Sequence, residues 1–221
     1  IAAALEEEIA TRLAAAEPVT VQWQGDPPYP AWNWWKPTGG ELATQWRTTP
    51  VVVDWDQDGL NDLLMLDHQG YLALFRRVRW GDQLLLLPGE RIFEGGKFDN
   101  KQQADGKSDG LLQLNTKTAG GSGRRKLALV DFDGDGQRDL LVNSVNVNLL
   151  KGTGQRDGRV QFADQGPLCK LRLAGHTTSP TTVDWDGDGR RELLVGAEDG
   201  YLYHLPREGQ RQVSTAKHNA A

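Results

Sequence analysis

From about residue 48 onward, short apolar runs alternate with Gly, Asp and Pro roughly every eight to twelve residues, the pattern of short strands joined by tight turns. One segment departs from it. Residues 2–16, AAALEEEIATRLAAA, are alanine-rich and set Leu5, Ile9 and Leu13 at i, i+4 spacing, which predicts one short helix with a single apolar stripe within residues 1–18. Residues 19–221 are expected to be all-β.

The strand pattern repeats. TTPVVVDWDQDGLNDLLMLDHQGYLALF from Thr48 aligns without a gap on TSPTTVDWDGDGRRELLVGAEDGYLYHL from Thr178, and RKLALVDFDGDGQRDLLVNSVNVNLL between them keeps strand, loop and strand. Each unit reads as a nearly continuous apolar strand, an acidic loop, a second strand, a tight turn and a third strand of alternating pattern. LLLLPGERIF and VQFADQGPLCKLRL are candidates for fourth, outer strands, and FDNKQQADGKSDG and TAGGSG read as an exposed insertion. Units over about 45–95, 123–173 and 175–212, each a four-stranded antiparallel sheet, predict a β-propeller or a propeller fragment.

The loops carry the chemistry. In D-x-D-x-D-G-x-x-D, carboxylates at positions one, three, five and nine converge while the glycine permits the sharp turn. The predicted metal ligands of the first loop are Asp54, Asp56, Asp58 and Asp62, with the carbonyl of Leu60. The second loop supplies Asp131, Asp133, Asp135, Asp139 and the carbonyl of Gln137, and the third Asp184, Asp186, Asp188, Glu192 and the carbonyl of Arg190. Six or more oxygens in flexible geometry suit calcium, so three calcium sites are expected. An EF-hand is excluded, because position twelve, where that motif needs a bidentate Glu, holds Met65, Val142 and Val195.

DWDQDGLND, DFDGDGQRD and DWDGDGRRE between first and second strands resemble the FG-GAP or VCBS-type calcium-binding repeats of integrin-like β-propellers, which also occur in secreted bacterial polysaccharide lyases. The resemblance implies a calcium-stabilised module of a secreted or cell-surface protein. It departs from the usual complement of about seven blades, since only three units are visible. The chain, which starts at Ile1, is therefore read as a piece whose remaining blades come from a longer chain or a partner chain.

A ligand face is expected opposite the metal loops, where strand-one entries bring Gln45, Trp46 and Arg47, then Arg124, Arg125 and Lys126, then His176 and Thr177. The turns between second and third strands add His68, Asn146, Glu198 and Asp199. The first-ranked expectation is an acidic polysaccharide that is bound, or cleaved by β-elimination, with Arg47 or Arg125 neutralising a carboxylate and His176 or His68 abstracting a ring proton. Trp34 and Trp35, in PPYPAWNWWKP, are read as a structural plug over the first blade's outer edge or as residues that stack on sugar rings, and Trp46 is a further ligand-binding candidate. The alternative is a non-catalytic adhesion or scaffolding module that binds a cell-surface protein.

Composition narrows the partners. A formal charge of −5, with acidic residues concentrated in the loops, argues against nucleic acid, and no apolar run reaches the roughly 18 residues of a membrane span. The single cysteine, Cys169, excludes an internal disulfide.

Overall fold

The structure, a computed structural model, describes residues 18–24, 26, 39–45, 48–96, 110–115, 125–173 and 178–207, so the expected N-terminal helix lies outside the described residues. These residues are all β. The first unit pairs β1 (Val51–Val53), β2 (Asp62–Leu66) and β3 (Leu72–Phe75) as an antiparallel meander. Next come a separate hairpin, β4 (Arg77–Trp80) with β5 (Gln83–Leu86), and the short β6 (Phe93–Glu94). The second unit runs through β7 (Leu127–Val130), β8 (Asp139–Asn143), β9 (Val147–Arg156) and β10 (Arg159–Pro167). The third consists of β11 (Ser179–Val183), β12 (Glu192–Gly196) and β13 (Leu202–Leu205).

Three antiparallel units side by side are consistent with a propeller fragment. Four antiparallel strands occur, among the described residues, in the second unit, whose outer strand follows from a tight turn: Asp157 and Gly158 both take positive φ, 51° and 75°, as a two-residue hairpin loop requires. The expected fourth strand of the first unit is interrupted. Pro88 lacks an amide donor, β5 ends before it, and Glu90 returns to Leu74 through one reciprocal pair of bonds of 2.8 and 3.0 Å. Gly89 sits under the Phe75 ring, where a Cβ would come within 2.6 Å of the side chain.

β6 instead joins the second unit, parallel to β10. Glu94 anchors it by accepting hydrogen bonds from Arg159, Gln161 and Arg156 at 2.8, 2.9 and 3.0 Å. Those donors, that of Arg159 foremost, pull its carboxyl down to about 2.

Alternation along the strands builds two cores between three units. Leu64, Leu72 and Leu74 of the first unit meet Leu140, Val142 and Leu150 of the second, with Phe93, Leu112 and Leu114 filling the same core. On its opposite face the second unit turns Leu141, Val147 and Leu149 toward Leu193 and Val195 of the third. The outer face of the first unit is covered by its own chain, with Val21, Leu42 and Trp23 packed on Met65, Ala73 and Phe75.

The third unit breaks the series. Register makes Leu202 the counterpart of Leu72 and Val147, because each pairs with the residue two beyond the shared Leu64, Leu141 and Leu194 position. Leu72 is 0% exposed and Leu202 66%. Thus one side-chain type at one position of the repeat is core in the first unit and surface in the third. Leu72→Ala is expected to cost about 2–5 kcal/mol in denaturant unfolding, whereas Leu202→Ala stays within about 0.5 kcal/mol.

Candidate functional site: three acidic loops

Each acidic loop is folded by its own backbone amides. The amides of Gly59, Gly136 and Gly189 donate to the position-one carboxylates of Asp54, Asp131 and Asp184 at 3.1, 3.0 and 3.1 Å. The amides of Leu60, Gln137 and Arg190 donate to the position-five carboxylates of Asp58, Asp135 and Asp188, at 2.8 Å in every loop. The chain must turn through the left-handed region at position four. Gly134 and Gly187 do this freely, with φ of 80° and 77°, while Gln57 adopts φ 64° at the same place in the first loop.

The position-nine carboxylates of Asp62, Asp139 and Glu192 are buried. They accept the amides of Trp55, Phe132 and Trp185 at 3.1, 2.8 and 2.9 Å, closing each loop onto its second strand. Asp62 and Asp139 use their other oxygen to accept Arg77 and Gly152 amides at 2.7 and 2.8 Å, which ties the start of β4 in the first unit and β9 in the second to the same point. Burial raises the Asp139 carboxyl, opposed by those two amides.

Carboxylate oxygens converge to within 4.8 Å of one another at Asp54, Asp56 and Asp58, at Asp131, Asp133 and Asp139, and at Asp184, Asp186 and Asp188. The middle loop thus gathers positions one, three and nine; the outer two gather one, three and five. In the first loop Asp54 Oδ1 is buried without a hydrogen-bond partner. A buried anionic oxygen with no donor, beside two further carboxylates, fits a cation ligand, because uncompensated it carries its full desolvation cost. The donor set is hard oxygen throughout, and these residues can hold a divalent cation.

Arginines stitch successive loops together. Arg138, at position eight of the middle loop, lies over the Trp55 ring with its guanidinium carbon 4.7 Å from the centroid, and it donates to the carbonyls of Trp55 and Asp54 at 3.2 Å each. Arg207 repeats the device one unit on, 4.3 Å over Phe132, donating to the carbonyls of Phe132 and of Arg191. Sequence pattern showed arginines in and after these loops; only pairing shows that each reaches back to the aromatic of the unit before.

The expected ligand face is partly interior. Arg125 is buried and donates to the carbonyls of Leu114 and Asn143 at 2.5 and 3.2 Å. Gln45 and Asn146 are buried too: Gln45 accepts from Asn115 at 2.7 Å and Asn146 donates to the carbonyl of Cys169 at 2.5 Å. The cause is crowding where loops meet, as at Gly70, whose φ is 83° and whose Cβ would overlap the Asn115 carbonyl. Backbone carbonyls drawn inside need donors, and these side chains provide or orient them. Trp34, Trp35, Trp46, Arg47 and His176 lie outside the described residues.

His68 is described, half-buried at the turn between β2 and β3. Burial pushes its imidazole below the ordinary value, with the Asp67 carboxylate opposing and Arg91 assisting. Arg91, which the sequence did not single out, is fixed beside it by Asp67 and Gln69, each at 2.6 Å, and lies 4.2 Å over the Tyr71 ring.

Residues 131–195, from the middle acidic loop into β12, match the family model of the FG-GAP-like repeat. Neither curated proteins nor solved structures yield a match to the chain. The matched span contains two of the three acidic loops, so the similarity to the FG-GAP-like repeat covers the second and third units in part. No helix among the described residues is long and apolar enough to cross a membrane.

Stripping divalent cations is expected to lower the melting temperature, because converging carboxylates then repel one another without compensation. Asp54→Ala, which removes the orphaned oxygen, is expected to reduce that chelator-dependent drop, read by differential scanning calorimetry with and without chelator.

Proposed function

We propose that this chain, built around an FG-GAP-like repeat, is a calcium-stabilised propeller-type module of a secreted or cell-surface protein, and that it works by binding a further blade-type unit. Calcium is supported by all-oxygen donor sets of flexible geometry, and extracytoplasmic calcium is concentrated enough to fill such loops. The observation that carries the binding role is the open face of the third unit. Trp185 is 51% exposed and Leu202 66%, although their counterparts in the other two units are covered by the next unit.

The occupant is defined by the two junctions already formed. At each, a guanidinium from the following unit stacks on the loop aromatic and donates to its carbonyl. Among the described residues no guanidinium covers Trp185. A blade presenting arginine at that height, from a longer chain or a partner chain, completes the third junction as Arg138 and Arg207 complete the first two. In this reading calcium holds the loops that present the aromatic, and the module's role is adhesion or scaffolding.

Appending a second copy of residues 125–173 to the C-terminus tests this reading. The added unit carries Arg138, and it is expected to raise the melting temperature and shield Trp185 from acrylamide, with Trp185→Phe as the spectral reference. Arg138→Ala in the appended copy alone should cancel much of both effects. An appended unit that leaves melting and quenching unchanged would overturn the proposal.

One observation favours a second reading, in which the module binds or cleaves an acidic polysaccharide. Burial pushes the His68 imidazole below its ordinary value, and Arg91, paired with Asp67 at 2.6 Å, acts on it electrostatically; on this reading His68 is the base for the ring proton of a uronic acid and the substrate carboxylate competes with Asp67 for Arg91. On that reading acidic glycans give a rise in ultraviolet absorbance from the unsaturated product, the rate falls as pH drops through the lowered imidazole pKa, and His68→Ala abolishes the rise. Full activity in His68→Ala removes it as the base, and no activity on any acidic glycan leaves the binding role.

A further inference from the structure

The repeat gives each unit one apolar face directed at the unit before it. Leu140 and Val142 of β8 pack against the first unit, and Leu193 and Val195 of β12 against the second. Register makes Leu63 and Met65 of β2 their counterparts, since Leu63, Leu140 and Leu193 pair with Phe75, Leu150 and Leu205 and the second residue lies two further along each strand. Among the described residues no unit precedes the first. Val21, Leu42 and Trp23 cover part of the face instead.

Beside that cover the face stays open. Leu63 and Met65 form, with Pro18, Val19, Leu42 and Pro50, most of the described lining of an apolar cleft of about 570 Å³. Val19 is 51% exposed, and Val52, directly opposite Leu63 in the β1–β2 ladder, is 60% exposed. The counterpart of Val52 is Leu129, opposite Leu140, and it packs into the core between the first and second units. A position that is core in the second unit therefore faces solvent in the first, beside a cleft that an apolar group fits.

The chain supplies a matching segment, which joins the cleft at Pro18. Residues 2–16, outside the described residues, have the sequence of a helix with one apolar stripe, Leu5, Ile9 and Leu13, about 12 Å from end to end. Pro18 bounds that helix by disfavouring helical backbone at Glu17, and the five residues from Leu13 to Pro18 span at most about 18 Å. A helix this short is marginal in water by itself, so its stripe needs a surface. Attachment at Pro18 makes docking intramolecular, an advantage over any separate chain. We propose that residues 2–16 dock as a helix in this cleft, with Leu5, Ile9 and Leu13 against Leu63 and Met65, and cap the first unit in place of a preceding blade. The inference is independent of the metal loops and of the binding role proposed above; together with that role it leaves the third unit as the end at which a blade adds.

The full chain with Leu5→Ser, Ile9→Ser and Leu13→Ser combined tests it. That variant is expected to melt roughly 5–10 °C lower, whereas Glu7→Ser, on the opposite side of the helix, leaves melting unchanged. Leu63→Ala supplies the other half of a double-mutant cycle: added to the stripe variant it should lower melting by clearly less than it does alone, because the contact is already lost. Met65 is the single methionine, so its labelled methyl resonance reports on the cleft; it should move in the stripe variant and stay in place in Glu7→Ser. A measurement on the wild type guards against variants that misfold: the amides of residues 9–13 should exchange about tenfold or more slowly than those of an unstructured chain.

Unchanged melting and an unmoved Met65 methyl in the stripe variant overturn the proposal and leave the face to a preceding blade of a longer chain or a partner chain. Strictly additive losses with Leu63→Ala, or unprotected amides at residues 9–13, overturn it as well. Protected amides with an unmoved Met65 methyl overturn the cleft as the docking site. A Met65 methyl that shifts on dilution of the wild type shows a second copy in the cleft and overturns the proposal likewise.

Discussion

A carboxylate placed without water at the start of each second strand is the constraint on which the rest of the structure depends. Asp62, Asp139 and Glu192 are buried, and an ionised carboxylate survives there only if donors replace its hydration shell. The donors are backbone amides of the loop above and, in the first two units, the amides of Arg77 at the start of β4 and Gly152 within β9. In those two units one side chain therefore joins the loop, the second strand and the chain beyond it. The loop cannot open without stranding a buried charge.

That closure sets up the unfavourable part of the design. With the loop pinned at position nine, the carboxylates of positions one and three, and of five in the outer loops, are held within 4.8 Å of one another. Glycine and loop amides partly neutralise them, but Asp54 Oδ1 keeps no donor. In the middle loop Lys151 lies across two of these carboxylates.

Between units, the same loops serve as docking points. Trp55 and Phe132 each lie under a guanidinium from the following unit, whose planar shape allows it to stack and to donate to carbonyls at once. Below them, alternate residues of each second strand face opposite neighbours, as Leu140 faces the first unit and Leu141 the third. A sheet with two apolar faces needs two neighbours. The third unit has one among the described residues, and Trp185 and Leu202 on its outer face are exposed.

The sequence by itself determined the unit and its loop. Period-two apolar runs, the D-x-D-x-D-G-x-x-D spacing and the gap-free alignment of Thr48–Phe75 with Thr178–Leu205 are local properties, and the strands and acidic turns appear where they place them. What depends on partners far along the chain was decided by tertiary structure. Arg125 looked like a ligand group because charge usually faces water, yet it is inside, bonded to carbonyls that only the packed loops bring there. β6 contributes to the second unit rather than the first because Glu94 finds its donors on β9 and β10, more than sixty residues later. Lys151 and Arg138 are likewise ordinary surface cations in sequence. Which carboxylate or aromatic each one meets follows from strand register and unit packing, and neither is encoded in the few residues around it.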